Sequence, residues 1–177
     1  MSFSNPAGNA TAAASEYVRA LLDLLGARQP LAVLPELLPW LDRRLAGVPE
    51  APLRQPEAPG KWSVIAIVQH LADSELILSV RARLILSEDR PLIRAFDQDR
   101  WAERFDYLGA SLELALAQLR ALREANLALW RRLGPDELAR EGLHSERGPE
   151  SLGRLLELMA AHDLVHRRQI DRVLGAA

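Results

Sequence analysis

The chain has no cysteine, and Lys61 is the one lysine among its 22 basic residues. Without cysteine there is no disulfide, no thiolate nucleophile and no sulfur-ligated zinc or iron–sulfur centre, so any bound metal takes nitrogen or oxygen donors. Aromatic residues make up 5% of the 177 residues, and long alternating β-branched runs are missing, which argues against an extensive sheet. No uninterrupted apolar stretch approaches the ~18 residues of a membrane helix. The 22 basic and 24 acidic side chains are interleaved and sum to a formal net charge of −2, so no basic stripe suits a nucleic-acid backbone. The opening MSFSNPAGNATAAAS lacks a charged start followed by an apolar core, which points to a cytoplasmic address rather than to secretion.

What is abundant is alanine, leucine and arginine, residues that favour helices. The length suits one domain with a core of its own. The expectation is an all-α domain over residues 15–177 behind a flexible N-terminus, 1–14. Ser15 to Leu25 reads as an amphipathic helix closed by Gly26, and Pro30, Pro35 and Pro39 break the apolar stretch that follows through Leu45. The proline-rich segment from Gly47 to Gly60 reads as a connection crossing the bundle, long enough to set the next helix parallel to the first. Ser63 then caps a helix to about Ser87, and Ser111 caps another through Leu133. Between them Pro91 to Leu108 reads as a partly helical loop across one bundle end, with Trp101 as a cover. Gly134-Pro135-Asp136 opens a short turn, and the last helix spans Ser151 to Leu174.

Three of the four histidines carry the chemistry. His162 and His166 stand four apart in the last helix, and residues so spaced share a face because a helix advances roughly 100° and 1.5 Å per residue. Leu152, Leu155, Leu156, Met159, Ile170, Val173 and Leu174 form an apolar sector with both histidines in its middle. Arg154, Glu157, Ala161 and Arg168 take the other face. Buried imidazoles need partners, since an unpaired polar group costs about 1–3 kcal/mol, and a metal ion would satisfy both at once. His70, on the helix that starts at Ser63, supplies a third ligand. An all-imidazole set suits zinc or nickel and leaves a coordination position open, so the ion can activate water or a low-molecular-weight thiol against a small-molecule substrate. His144 falls in a polar turn and reads as a solvated loop residue.

These motifs resemble a known family. The run GKWSVIAIVQHLADSE, Gly60 to Glu75, is similar to the first signature of the DinB-like superfamily, and AAHDLVHRRQI, Ala160 to Ile170, is similar to its closing His-x-x-x-His helix. FDQDRWAERF, Phe96 to Phe105, resembles the linker of the branch that holds metal-dependent hydrolases and bacillithiol-type thiol transferases. The likeness runs from about Tyr17 to Leu174. It implies a four-helix bundle of up-down-down-up topology with a divalent metal held at one end by His70, His162 and His166. It does not imply one reaction: the family also contains DNA-damage-inducible proteins, so a non-catalytic metal-binding module is the alternative to an enzyme.

Other polar residues sit close enough in the pattern to support the histidines. Glu75 falls in the apolar sector of its helix with Val68 and Leu71, and Asn126 in the stripe of Leu112, Leu119 and Leu133. Either can orient a ligand histidine, or can simply pair with an arginine or a core hydrogen-bond partner. Asp163 follows His162 as the acid follows the first histidine of a zincin, but the eleven residues after His166 hold no histidine and Asp163 is a carbon shorter than the usual Glu, which argues against that scheme. Asp97 and Asp99 can cap a turn or approach the metal, and Trp62 reads as a core and capping residue. Leu76, Val80 and Leu84 lie opposite the stripe of Val64, Val68 and Leu71, and this second apolar side predicts a homodimer.

Overall fold

A computed structural model of the chain describes residues 10–175, with side chains from Glu16 onward. The first long helix, α1, covers Ala10–Leu25. It therefore opens before Ser15, inside the segment expected to be flexible, while residues 1–9 lie outside the described residues. The prolines then do what their missing N–H groups dictate: short α2 (Pro30–Val33), one 3-10 turn (Leu34–Glu36) and α3 (Leu37–Leu45) continue the same rod with breaks. A short helix, α4 (Glu50–Arg54), lies in the proline-rich connection.

Serine caps set the other three long helices. Ser63 Oγ accepts from Ala66 N at 3.3 Å at the start of α5 (Val64–Ser87). Ser111 Oγ accepts from Leu114 N at 3.3 Å to open α7 (Leu112–Trp130), and Ser151 Oγ accepts from Arg154 N at 3.1 Å to open α9 (Leu152–Val173). Each hydroxyl satisfies a backbone donor that the first helical turn leaves over. Between these come α6 (Gln98–Arg104) and α8 (Pro135–Leu138).

The helix directions follow from the pairs that meet. Along α5 and α7, Asp73 meets Gln118, Glu75 meets Arg123 and Ser79 meets Asn126, so both run the same way. Along the broken first rod, Glu36 meets Arg167 and Arg44 meets Asp171, so α3 and α9 are also parallel. Helix α5 runs against α9: the buried cluster near the start of α5 contains Ile170, and the one near its end, with Ala82 and Ile85, contains Leu152 and Leu155. The result is the up-down-down-up bundle. The segment from Gly47 to Gly60 consequently returns α5 antiparallel to the first rod, contrary to the parallel placement expected of it. The crossing that joins parallel neighbours is residues 88–111.

A small sheet closes the far end of the bundle. Strand β1 (Leu92–Ile93) pairs parallel with β2 (Glu141–His144), which pairs antiparallel with β3 (Gly148–Ser151). Strands of two to four residues are too short to show an alternating pattern, which is why composition pointed to helices alone. Gly148, at φ +76°, makes the tight hairpin turn possible. His144 stands on β2 with 3% exposure, not in a solvated loop. Its Nδ1 accepts from Glu146 N at 3.2 Å, and burial, then Arg147 and Arg81, hold its pKa down at about 4.

Helix α9 is central, packed on α1, α2 and α5. Leu158, Ala160, Ala161 and Leu164 are buried along with Leu152, Leu155, Leu156, Met159 and Ile170 of the expected stripe, whose Val173 and Leu174 are half-buried; Ala161 thus belongs to the core rather than to the polar face. No helix among the described residues is long and apolar enough to cross a membrane.

Candidate metal centre

His70 arrives on α5 and His162 and His166 on α9, from helices brought together by the apolar residues around them. His70 Nε2 lies 3.0 Å from His162 Nε2, which lies 3.0 Å from His166 Nε2. One ligand atom from each falls within 4.8 Å of the others. His70 and His166 are buried and His162 is half-buried, so His162 forms the edge that solvent reaches. Burial, reinforced by the neighbouring imidazoles, holds His70 and His162 well below the usual histidine range, and burial holds His166 at about 4. All three are neutral at pH 7.

Protons alone do not satisfy this arrangement. A neutral imidazole nitrogen has one in-plane direction to offer, either a hydrogen or a lone pair. His162 Nε2 faces two other nitrogens and can serve only one of them. A cation that accepts three lone pairs resolves the conflict, and Zn–N bonds of ~2.0–2.1 Å place donors ~3.3 Å apart, close to the two 3.0 Å separations at His162. The residues present fit a divalent ion.

The surroundings of the triad include residues that sequence reasoning missed. Gln169 Oε1 lies 2.8 Å from His166 Nδ1, three residues further along the same helix face; the i, i+3 spacing was the available signal. Ser74 Oγ is 3.4 Å from His70 Nε2, while His70 Nδ1 is buried without a partner. Trp62 covers the cluster, its ring 4.7 Å from that of His70 and stacked at 15° on that of His166. Tyr107 meets the edge of Trp62 and donates to Asp73 Oδ2 at 2.7 Å; burial and then Asp73 push its pKa up. Gln118 also donates to Asp73, at 3.0 Å.

The proposed supporting residues are placed otherwise. Glu75 and Asp163 both pair with Arg123, a residue not singled out from sequence. Arg123 Nη1 and Nη2 donate to the two oxygens of Asp163 at 2.6 and 3.0 Å, and Nε donates to Glu75 Oε2 at 3.0 Å. Asn126 Nδ2 donates to Glu75 Oε1 at 2.8 Å, and a further Arg123 hydrogen bond reaches Leu34 O. Burial alone would push both carboxyls toward their neutral forms; the guanidinium opposes it. The hydrogen bonds of Glu75, Asn126 and Asp163 thus run to one another's network rather than to an imidazole. Asp97 is exposed and caps α6, its Oδ1 accepting from Asp99 N at 3.1 Å and Arg100 N at 3.0 Å. Trp101 stands between Phe96 and Phe105 at 5.0 and 5.3 Å.

An up-down-down-up helical bundle with three converging histidines between α5 and α9, two buried and one half-buried, defines a class of protein that presents imidazole nitrogens to a metal. Residues 40–170 match the DinB superfamily, and the chain belongs to it. It is similar to a protein of Oceanobacillus iheyensis, 33% identical over 111 residues that span 63% of this chain and 64% of that one. It is also similar to YfiT of Bacillus subtilis, 29% identical over 149 residues, 82% of this chain and 84% of the other. Both relatives carry the name "putative metal-dependent hydrolase". The solved structure of YfiT, described as having an unusual four-helix bundle topology, superposes with a TM-score of 0.74 over 84% of this chain and 87% of its own.

Proposed function

We propose that this chain is a metal-dependent enzyme that activates a small nucleophile against a small-molecule electrophile, with hydrolysis as the reaction and zinc or nickel as the ion. The observation that carries the reading is the convergence of three imidazole nitrogens, those of His70 and His166 each 3.0 Å from that of His162 and all within 4.8 Å of one another, on a half-buried edge. His70, His162 and His166 would hold the ion, and they contribute no negative charge to weaken it as a Lewis acid. Bound there, the ion makes a water or a low-molecular-weight thiol nucleophilic at neutral pH. Trp62 shields the His70 and His166 side from water, which leaves the approach over His162 to the substrate. The relatives' name favours water over thiol as the attacking group.

Metal content of untagged protein is the direct test, compared between wild type and His166→Ala. One divalent ion per wild-type chain and its loss in the variant are expected; equal stoichiometry overturns the assignment. The loaded protein is then assayed with ester and amide substrates, and with thiols plus electrophiles. Metal-dependent hydrolysis supports the proposal, thiol transfer alone moves it to a transferase, and metal without turnover on any of them makes the chain a non-catalytic metal-binding module.

A further inference from the structure

The three imidazoles are not held alike. His70 Nδ1 is buried with no partner, whereas His166 Nδ1 lies 2.8 Å from Gln169 Oε1. An amide oxygen only accepts, so His166 Nδ1 carries the hydrogen in this contact and Nε2 is left with its lone pair. That lone pair faces His162 Nε2 and the centre of the cluster. The opposite tautomer would place a hydrogen on Nε2, where the ion should sit.

We infer that Gln169 is a positioning residue that fixes His166 in the metal-ready tautomer before the ion arrives. The inference rests on the metal reading above and deepens it. Gln169 suits the task because it lies three residues beyond His166 on one helix, so its reach is set by local geometry and does not depend on a distant element. It is half-buried, which protects the hydrogen bond from water. The Trp62 ring lies nearly parallel to that of His166, with centroids 6.4 Å apart, and Gln169 decides which nitrogen carries the hydrogen. A partner that orients a metal-binding histidine in this way is worth 10–100-fold in metal affinity.

Two substitutions separate the role from mere packing. Gln169→Leu keeps much of the volume and removes the acceptor; Gln169→Glu keeps the acceptor and cannot donate. Zinc affinity by competition with a chromophoric chelator should fall about 10–100-fold in Gln169→Leu and stay at or above wild type in Gln169→Glu. Long-range proton–nitrogen spectra of the metal-free wild type should show His166 protonated at Nδ1, and Gln169→Leu should lose that preference. Wild-type affinity in Gln169→Leu, an equal fall in both variants, or an Nε2-protonated His166 in the wild type would overturn the inference. His166→Ala keeps the two questions apart: if it retains the full zinc affinity, the metal site itself fails, and if it loses zinc while Gln169→Leu does not, only the role of Gln169 fails.

Discussion

Arg123 is 2% exposed, and its charge is balanced by Asp163 on α9 and Glu75 on α5, with a further hydrogen bond to Leu34 O. Removing one member of such a buried set is costlier than the set is stabilising, because the remaining charges keep their desolvation penalty. Arg123→Met should therefore lower unfolding stability by about 3–5 kcal/mol in urea titrations of the metal-free protein, and Glu75→Gln with Asp163→Asn added should recover part of it. An additive loss would show that the three do not act together. His144 gives a residue-scale prediction of opposite character. Folded, it takes its proton near pH 4; unfolded, near 6.5. Between those values unfolding takes up a proton, so its contribution is complete above about pH 6.5 and is lost as pH falls toward 4. His144→Asn keeps an acceptor for Glu146 N and should flatten the acid loss of stability by up to about 3 kcal/mol. Identical pH profiles for the two proteins would refute the assignment.

At the scale of elements, the small sheet is docked tightly onto α5. A Cβ built on Gly142 of β2 would lie 2.8 Å from Ile93 Cγ1 and 3.1 Å from Ile85 Cγ1, and both isoleucines are almost fully buried. Neither can yield without moving its own neighbours, so Gly142→Ala should destabilise by about 1–3 kcal/mol, measured as a lowered denaturant midpoint with an unchanged slope. A neutral substitution there would mean that the sheet is more loosely seated than its contacts indicate. The element reading from sequence was sound where caps and periods are local: Ser63 and Ser111 start their helices as expected. It failed where a two-residue strand is defined by its partner, since Leu92 and Ile93 become β1 only by pairing with Leu143 and His144.

For the whole molecule, the metal would join two helices whose ligands stand 92 residues apart in sequence. An ion bound by the native state alone adds about 2.7 kcal/mol at a hundredfold excess over its Kd. Zinc should raise the melting temperature of wild type and leave that of His70→Ala unchanged; an equal rise in both would mean that the ion binds elsewhere. The apolar side of α5 is a separate matter. Leu84 packs against the core, while Leu76 and Val80 remain 40% and 49% exposed. That surface predicts a homodimer, to be checked by light scattering at micromolar concentration; a clean 19.7 kDa species would refute it.

The sequence by itself determined what depends on neighbours a few bonds away. Helical composition, serine caps, proline breaks and the i, i+4 pairing of His162 with His166 all follow from local backbone geometry, and the helical motifs carried the resemblance to the family. Tertiary structure decided what depends on which faces meet. It turned α5 antiparallel to the first rod, gave Glu75 and Asp163 an arginine instead of a histidine, and drew His144 into the interior. Periodicity says that a polar side chain lies on a buried face, but its partner comes from another helix through long-range packing, and only the folded chain shows which one arrives.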